Sequence, residues 1–402
     1  METKVFARKY YLDWLRVLGI LTVFVYHSTR FFNNEDWLVK NLTWYPWLEV
    51  WNMFAVTWMM PLMFVISGAS LFYSVGKGGA GKFIKDKVLR LLIPLVVCAL
   101  THASLQVYLE RLTHGQFTGS YFQFLPYYFQ GTYDGDNPAS GNFAKTGMHL
   151  WYIYWLFIYS IVLYPLMRWL KGRGQNILSR LGDLLSTPGA VYALILPSLF
   201  LMVLVNPNSP IFSENEAGWP VIIYLWLVLC GFVVISNERL QARVKNLRWL
   251  SLVIALVSMG IDTYLLISKG EQPFGTGLSA LMTSLWVLMS WCLVLTFLGF
   301  GIQHLRVSTP FLSYANEGVL PFYILHQTVL LCVGYFVVQW AIPDVFKWVV
   351  ILVASFAIIM LLYEYLVRRF NVMRFLFGMK PIIYQPVTQE IEPKLEEAAR
   401  IG

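Results

Sequence analysis

Residues 10–27, YYLDWLRVLGILTVFVYH, decide the fold. An acid and a base, Asp13 and Arg16, come early; from residue 17 to 25 only Thr22 interrupts the apolar side chains, and the stretch closes on Tyr26 and His27. A helix rising about 1.5 Å per residue needs roughly 20 predominantly apolar residues to cross the hydrocarbon of a bilayer. The run 14–32 is long enough to do so. Within it Arg16 and His27 stand eleven residues apart. At about 100° per residue that separation returns both side chains to within roughly 20° of one face, about 16 Å apart along the axis. Ionisable groups on such a stripe are costly and mark function or a local partner. Asp13, three residues before Arg16, is the local partner for the guanidinium. For His27 two readings stand open: a hydrogen bond to a neighbouring helix, or proton chemistry inside the membrane.

The rest of the chain has the same character. Its 402 residues are 57% hydrophobic and 13% charged, with a mean hydropathy of +0.58. Soluble domains run near 45–50% apolar and about 25% charged. So much apolar surface has lipid as its solvent, which excludes a soluble enzyme, a disordered chain and a secreted disulfide scaffold. Ten apolar runs follow one another at 14–32, 52–75, 88–109, 149–170, 189–206, 219–236, 249–268, 275–300, 319–340 and 345–368. They predict an all-α, polytopic integral membrane protein of about ten transmembrane helices. The four cysteines, Cys98, Cys230, Cys292 and Cys332, lie scattered in these runs and read as small core residues. The first run is too long for a cleavable signal and has no small-residue cleavage site.

Charge sets the orientation. Alternate connections carry 24 of the 30 lysines and arginines, from Lys4, Arg8 and Lys9 through Lys77–Arg90 to Arg368–Arg400; the other side keeps Arg30, Lys40, Arg111, Lys145, Lys269 and Lys347. By the positive-inside rule both termini are cytoplasmic. The net charge of +8 is thereby explained without a nucleic-acid partner. Residues 1–381 read as one transmembrane domain with an outer loop at 110–148, and 382–402 as a short polar cytosolic tail. Two outer segments are rich in rings: 33–51 with Trp37, Trp44, Trp47 and Trp51, and 110–148 with Tyr121, Phe124, Tyr127, Tyr128 and Tyr133 beside Asp134, Asp136, Asn137 and Asn142. They suit an interfacial aromatic belt or the stacking faces of a sugar. No internal repeat or Gly/Pro-broken helix pair marks an inverted-repeat transporter.

The stretch at 10–27 resembles the opening of the membrane-bound acyltransferase-3 family, a basic residue and a histidine with ten residues between them. Further pieces follow in the family's order: PLMFVISGASLF at 61–72, KDKVLRLLIPL at 85–95, HLWYIYWL at 149–156 and LPFYILHQTVL at 320–330. HLWYIYWL departs from the family's His-Leu-Trp-Phe-Leu run at Tyr152 and Ile153. LYEYLVRRFNVMRFLFGMKP at 362–381 is most similar to the branch that succinylates glucans.

The resemblance implies O-acyl transfer, in the bacterial inner membrane, from a cytosolic acyl-CoA to a hydroxyl of an envelope glycan. Succinyl-CoA or acetyl-CoA is then the donor substrate, and no permanently bound cofactor is expected. His27 becomes the catalytic residue, either as general base or as a covalent acyl-imidazole. Arg16, Arg90 and Lys87 are the donor-phosphate candidates, with Lys82 and Lys85 beside them; each of these lysines can instead merely enforce topology. Tyr323 and His326, in the inner half of their helix, line the donor channel. His149, at the outer surface, Trp151 and Asp262 are candidates for contacting the acceptor. With the three histidines at three depths, no metal site is expected. The rival reading is a transporter of a small anion or a lipid-linked glycan, without bond chemistry.

Overall fold

A computed structural model of the protein describes residues 8–134, 138–209, 212 and 215–382. Lys4, Asp136, Asn137 and the tail from residue 383 onward lie outside the described residues. Among the described residues the regular elements are helices apart from a two-residue hairpin, Asn215–Glu216 against Trp219–Pro220. In order the helices are α1 (Tyr10–Thr29), α2 (Trp47–Ser74), α3 (Ala80–Lys87), α4 (Ile93–Leu100), α5 (His102–Thr113), α6 (Tyr121–Tyr128), α7 (Trp151–Lys171) and α8 (Gln175–Leu185). Then come α9 (Leu196–Leu204), α10 (Val221–Ser236), α11 (Glu238–Lys269), α12 (Gly277–His304), α13 (Pro310–Val337), α14 (Asp344–Leu362) and α15 (Asn371–Leu376).

Among the described residues seven helical stretches are long and apolar enough to cross a membrane. The count is eight if α8 and the helix Ala190–Leu204, which meet at 115°, make one bent span. Of the ten runs read from sequence, two fall outside that set. Asp13, Arg16 and His27 dilute the apolar character of α1, and α10 has only 16 residues. Both lie inside the bundle: α1 packs on α2, α12, α13 and α14, and α10 crosses α2. The α2/α10 crossing is unusually close. A Cβ on Gly68 would lie 1.9 Å from the Val228 carbonyl oxygen, and one on Gly231 would lie 1.9 Å from that of Val65. Lipid tails are as apolar as leucine, so membrane helices associate through backbone approach of this kind rather than through burial from water. The leucines, valines and aromatics exposed on α11 and α14 make an apolar surface suited to lipid.

The outer segments are folded, not loose. Phe124, Tyr128 and Ala144 are buried with Ala103 and Val107 of α5 in a small core of their own, which Phe117, Tyr133 and Phe143 join at the edge. In the first outer segment Phe31, Phe32, Trp37, Leu38 and Val39 are buried. The Lys40 ammonium binds the Arg30, Asn33 and Glu35 carbonyls and the Asn33 side chain at 2.5–3.0 Å. Buried Lys347 of α14 reaches Asn41 and the Val338 carbonyl, both at 3.1 Å. Two lysines read as topology markers thus hold the cover over the C-terminal end of α1.

Candidate active site

The three histidines expected at three depths meet in one place. The His27 and His326 rings are 5.2 Å apart between centroids, and those of His326 and His149 are 4.8 Å apart. Helix length explains the level of the first pair. His27 lies 17 residues into α1 and His326 lies 16 residues into α13, about 26 and 24 Å of rise. The sequence reading began the α13 span at residue 319 because Ser313, Asn316 and Glu317 are polar, and so placed His326 too shallow.

His149 arrives by a different route. Gly147 (φ +71°) and Met148 (φ +59°) take consecutive left-handed conformations, which turn the chain inward just before α7. For methionine this costs on the order of 1–3 kcal/mol and persists only where the surroundings enforce it. The ring is buried, not at the outer surface as expected. Its Nε2–H donates to the carbonyls of Tyr323 (3.0 Å) and Ile324 (3.2 Å), which can only accept. Nδ1 is therefore the lone-pair nitrogen and accepts from the Gln106 amide at 3.3 Å. That amide also donates to Thr328 at 2.7 Å, and its oxygen accepts from Gln327 at 3.0 Å. The Tyr323 hydroxyl in turn donates to the backbone carbonyl of His149.

His326 donates Nδ1–H to the same Tyr323 carbonyl at 2.6 Å. Its Nε2, the basic nitrogen, is buried and has no hydrogen-bond partner among the described residues. His27 also has a buried, unpartnered Nδ1. Its ring lies inside the bundle, stacked on Trp37 at 6.0 Å and edge-on to Tyr26 at 5.1 Å. Two adjacent imidazoles thus present free nitrogens while a third is fully bonded and fixes their neighbours. Among the described residues no group of three or more His, Cys, Asp or Glu is arranged to hold a metal ion.

Below the histidines a cavity of about 890 Å³ opens at the end of the bundle where α1 and α13 begin. Arg8, Lys9, Arg16, Lys77, Lys87, Arg90, Arg374 and Lys380 line it, against only two carboxylates, Asp13 and Glu317. Its upper wall is formed by Ile20, Met63, Ser67, Tyr152 and Tyr323. Tyr323 also stacks on His326 at 5.5 Å, so its side chain lies between the top of the cavity and that imidazole, while His27, behind His326, does not line the cavity. Arg16 is held by Asp13 (3.2 Å), Asn316 (3.1 Å) and Ser70 (2.7 Å), while Asp13 keeps a second bond to Arg8 at 2.8 Å. Arg90 lies in a five-residue π-helical turn, Val88–Leu92, a widened geometry frequent at functional sites. The C-terminal segment closes on that turn: a Cβ on Gly378 would lie 2.6 Å from the Arg90 carbonyl oxygen.

An acyltransferase domain model matches residues 9–364. The chain belongs to the acyltransferase-3 family. Glucans biosynthesis protein C from Salmonella paratyphi A, from Salmonella agona and from Salmonella heidelberg are each 23% identical to the acyltransferase over 403 aligned positions, covering 95% of this chain and 97% of each relative. No solved structure matches it.

Of the residues singled out from sequence, Arg16, Lys87, Arg90 and Tyr323 line the cavity of the acyltransferase. Lys82 and Lys85 are exposed outside it. His326 does not line the cavity but sits behind Tyr323, completely buried. Trp151 is half-buried and packs beside Phe64 and Tyr224, away from the cavity lining. Asp262 is buried on α11, whose main neighbours are α12, α10 and α8, away from the histidine-bearing helices. Trp37, offered as a belt or sugar-stacking ring, is spent on His27. Sequence reading missed Gln106, Asn316 and Arg374. Gln106 and Asn316 are polar residues within apolar helices, a usable signal; Arg374 was counted only as a marker of sidedness. Its guanidinium is buried against Glu317 at 2.8 Å.

Proposed function

We propose that the protein is a ten-pass O-acyltransferase of the bacterial inner membrane, with both termini in the cytoplasm, that transfers a succinyl or acetyl group from cytosolic acyl-CoA to a hydroxyl of an envelope glycan. The observation that carries this reading is the basic cavity rising to Tyr323, which stacks on His326, itself beside His27, both rings with a nitrogen unpartnered among the described residues. The count of ten adds α1, α10 and the bent pair to the seven long spans. The lysine and arginine split supports the orientation. Arg16, Lys87, Arg90, Lys77 and Lys380 hold the donor's phosphates, arginine by its bidentate fork. The acyl end reaches up the apolar part of the cavity, and rotation of Tyr323 admits it to the histidines. The acceptor comes from the opposite face, past the segment that carries Trp37.

His27 acts as the general base. Its free nitrogen takes the hydroxyl proton while the alcohol oxygen forms a bond to the thioester carbonyl carbon. The tetrahedral intermediate then breaks its C–S bond, and the departing thiolate takes the proton from the imidazolium. The ester remains on the glycan and the free thiol of CoA leaves to the cytosol. A positioned base of this kind contributes typically about 10²–10⁴-fold. The name of the relatives, glucans biosynthesis protein C, supports a glucan as acceptor. Mass spectrometry of envelope glycans from cells with and without the gene tests the reading. A gain of one acyl unit per modified hydroxyl, present only with the gene, is expected; unchanged masses in every envelope glycan would defeat it.

A further inference from the structure

We propose a second binding site, for a phosphate ester, in a side chamber of about 380 Å³ adjoining the large cavity. Arg8 and Lys9 form the wall shared by the two. The far wall comes from elements that take no part in the first cavity: Gln241 and Lys245 of α11, Ile302 of α12, and Arg306 just beyond it. Four cations therefore face the chamber, against one carboxylate, Glu238, which lies 3.9 Å from Lys9. Lys245 and Arg306 have no acidic partner within ion-pair distance among the described residues. Tyr10 adds a phenol to the wall, while the Tyr11 hydroxyl donates to Gln241 at 3.4 Å. The two cations without an acidic partner, converging on a concave surface, fit a group with several anionic oxygens.

The surroundings favour the phosphate of an anionic phospholipid. Trp14, one turn beyond Tyr10, donates its indole N–H to the Val307 carbonyl at 3.1 Å and so ties α1 to the residue after Arg306. Beside that tie Leu18, Val307 and Phe311 are 45%, 63% and 60% exposed, an apolar rim on which acyl chains can lie while the headgroup enters the chamber. Basic pockets between helices at the cytoplasmic side of a membrane are headgroup sites of this type. The same chemistry serves a soluble nucleotide phosphate, and the test separates the two. The inference does not rest on the acyl-transfer reading.

Purified protein is titrated with phosphatidylglycerol, with phosphatidylcholine and with adenosine 3′,5′-bisphosphate, and bound ligand is read by native mass spectrometry. Lys245→Ala/Arg306→Ala touches only the side chamber. At roughly fivefold per cation near the membrane surface, the double variant should bind phosphatidylglycerol about thirtyfold more weakly, with phosphatidylcholine unaffected. Lys245→Ala alone should lose about fivefold, and Lys245→Arg/Arg306→Lys should bind as wild type. If the thirtyfold loss falls on the bisphosphate instead, the site stands with a soluble occupant. Wild-type protein that holds phosphatidylglycerol no better than phosphatidylcholine and also fails to bind the bisphosphate would overturn the proposal. So would a double variant that binds both anionic ligands as tightly as wild type.

Discussion

If the cavity holds acyl-CoA as proposed, replacing Arg16 by alanine should separate donor binding from everything else the site does. Arg16 contributes a guanidinium to the basic cavity, and its own partners are Asp13, Asn316 and Ser70. Asp13 keeps its 2.8 Å bond to Arg8 when Arg16 is lost, so no buried carboxylate is left unpaired. Asn316 and Ser70 border the cavity and can turn to solvent. The cost to the fold is therefore small. The loss to the donor is a charge-assisted bond to phosphate, about 1.5–3 kcal/mol, which is roughly a 10- to 150-fold weaker affinity for acyl-CoA. Arg16→Lys keeps the charge but cannot fork between Ser70 and Asn316, and should fall between the two. Isothermal titration of acyl-CoA and of acceptor glycan against wild type and both variants reads the effect, with the melting temperature as a control on folding. Acceptor affinity should change less than threefold. Equal losses for both ligands, or none for either, would refute a donor role for Arg16.

Other expectations follow from separate parts of the fold. Gly68→Ala forces α2 and α10 apart by about 1.5 Å, from a 1.9 Å overlap to ordinary contact near 3.4 Å. It should cost about 1–3 kcal/mol and lower the melting temperature, and an unchanged melt would contradict the close crossing. Gln106→Leu removes hydrogen bonds to His149, Thr328 and Gln327, at roughly 1–3 kcal/mol for each buried group left without a partner. Because Gln106 does not line the cavity, kcat should fall while KM for the donor stays constant in steady-state kinetics; a raised donor KM alone would count against its place behind the histidines. Burial, with the Arg30 guanidinium alongside, lowers the Lys40 ammonium to about 8. The unfolded chain, with an ordinary lysine near 10.4, still holds the proton above that pH, so the folded state gains stability as pH rises between those values. Solvent screening of this half-exposed group keeps the gain below the full value of about 1.4 kcal/mol per pH unit. Melting curves across that range should climb for wild type relative to Lys40→Met, and parallel curves would contradict it.

The parts of this architecture that depend on local pattern are legible in the chain. Apolar runs and their charged flanks locate the spans to within a few residues at most ends, and the eleven-residue spacing puts Arg16 at the cavity and His27 at the histidine cluster. What escapes is non-local. The first nine residues of α13 are too polar to read as a span, yet they set the depth of His326 by packing against α1. His149 depends on a left-handed turn at Gly147 and Met148; the glycine permits it, but nothing about methionine announces that the turn continues through it. Trp37 looks like an interfacial ring until the lysine clamps on its segment are known. Arg374 reaches the cavity only because the chain folds back from α14 onto the π-helical turn that carries Arg90.

The most direct measurement is single-turnover transfer of a labelled acyl group from acyl-CoA to glycan by purified His27→Ala in lipid nanodiscs, beside wild type. The rate should fall by about 10²–10⁴-fold, with donor affinity and melting temperature unchanged. Transfer at the wild-type rate would show that the chemistry is done elsewhere.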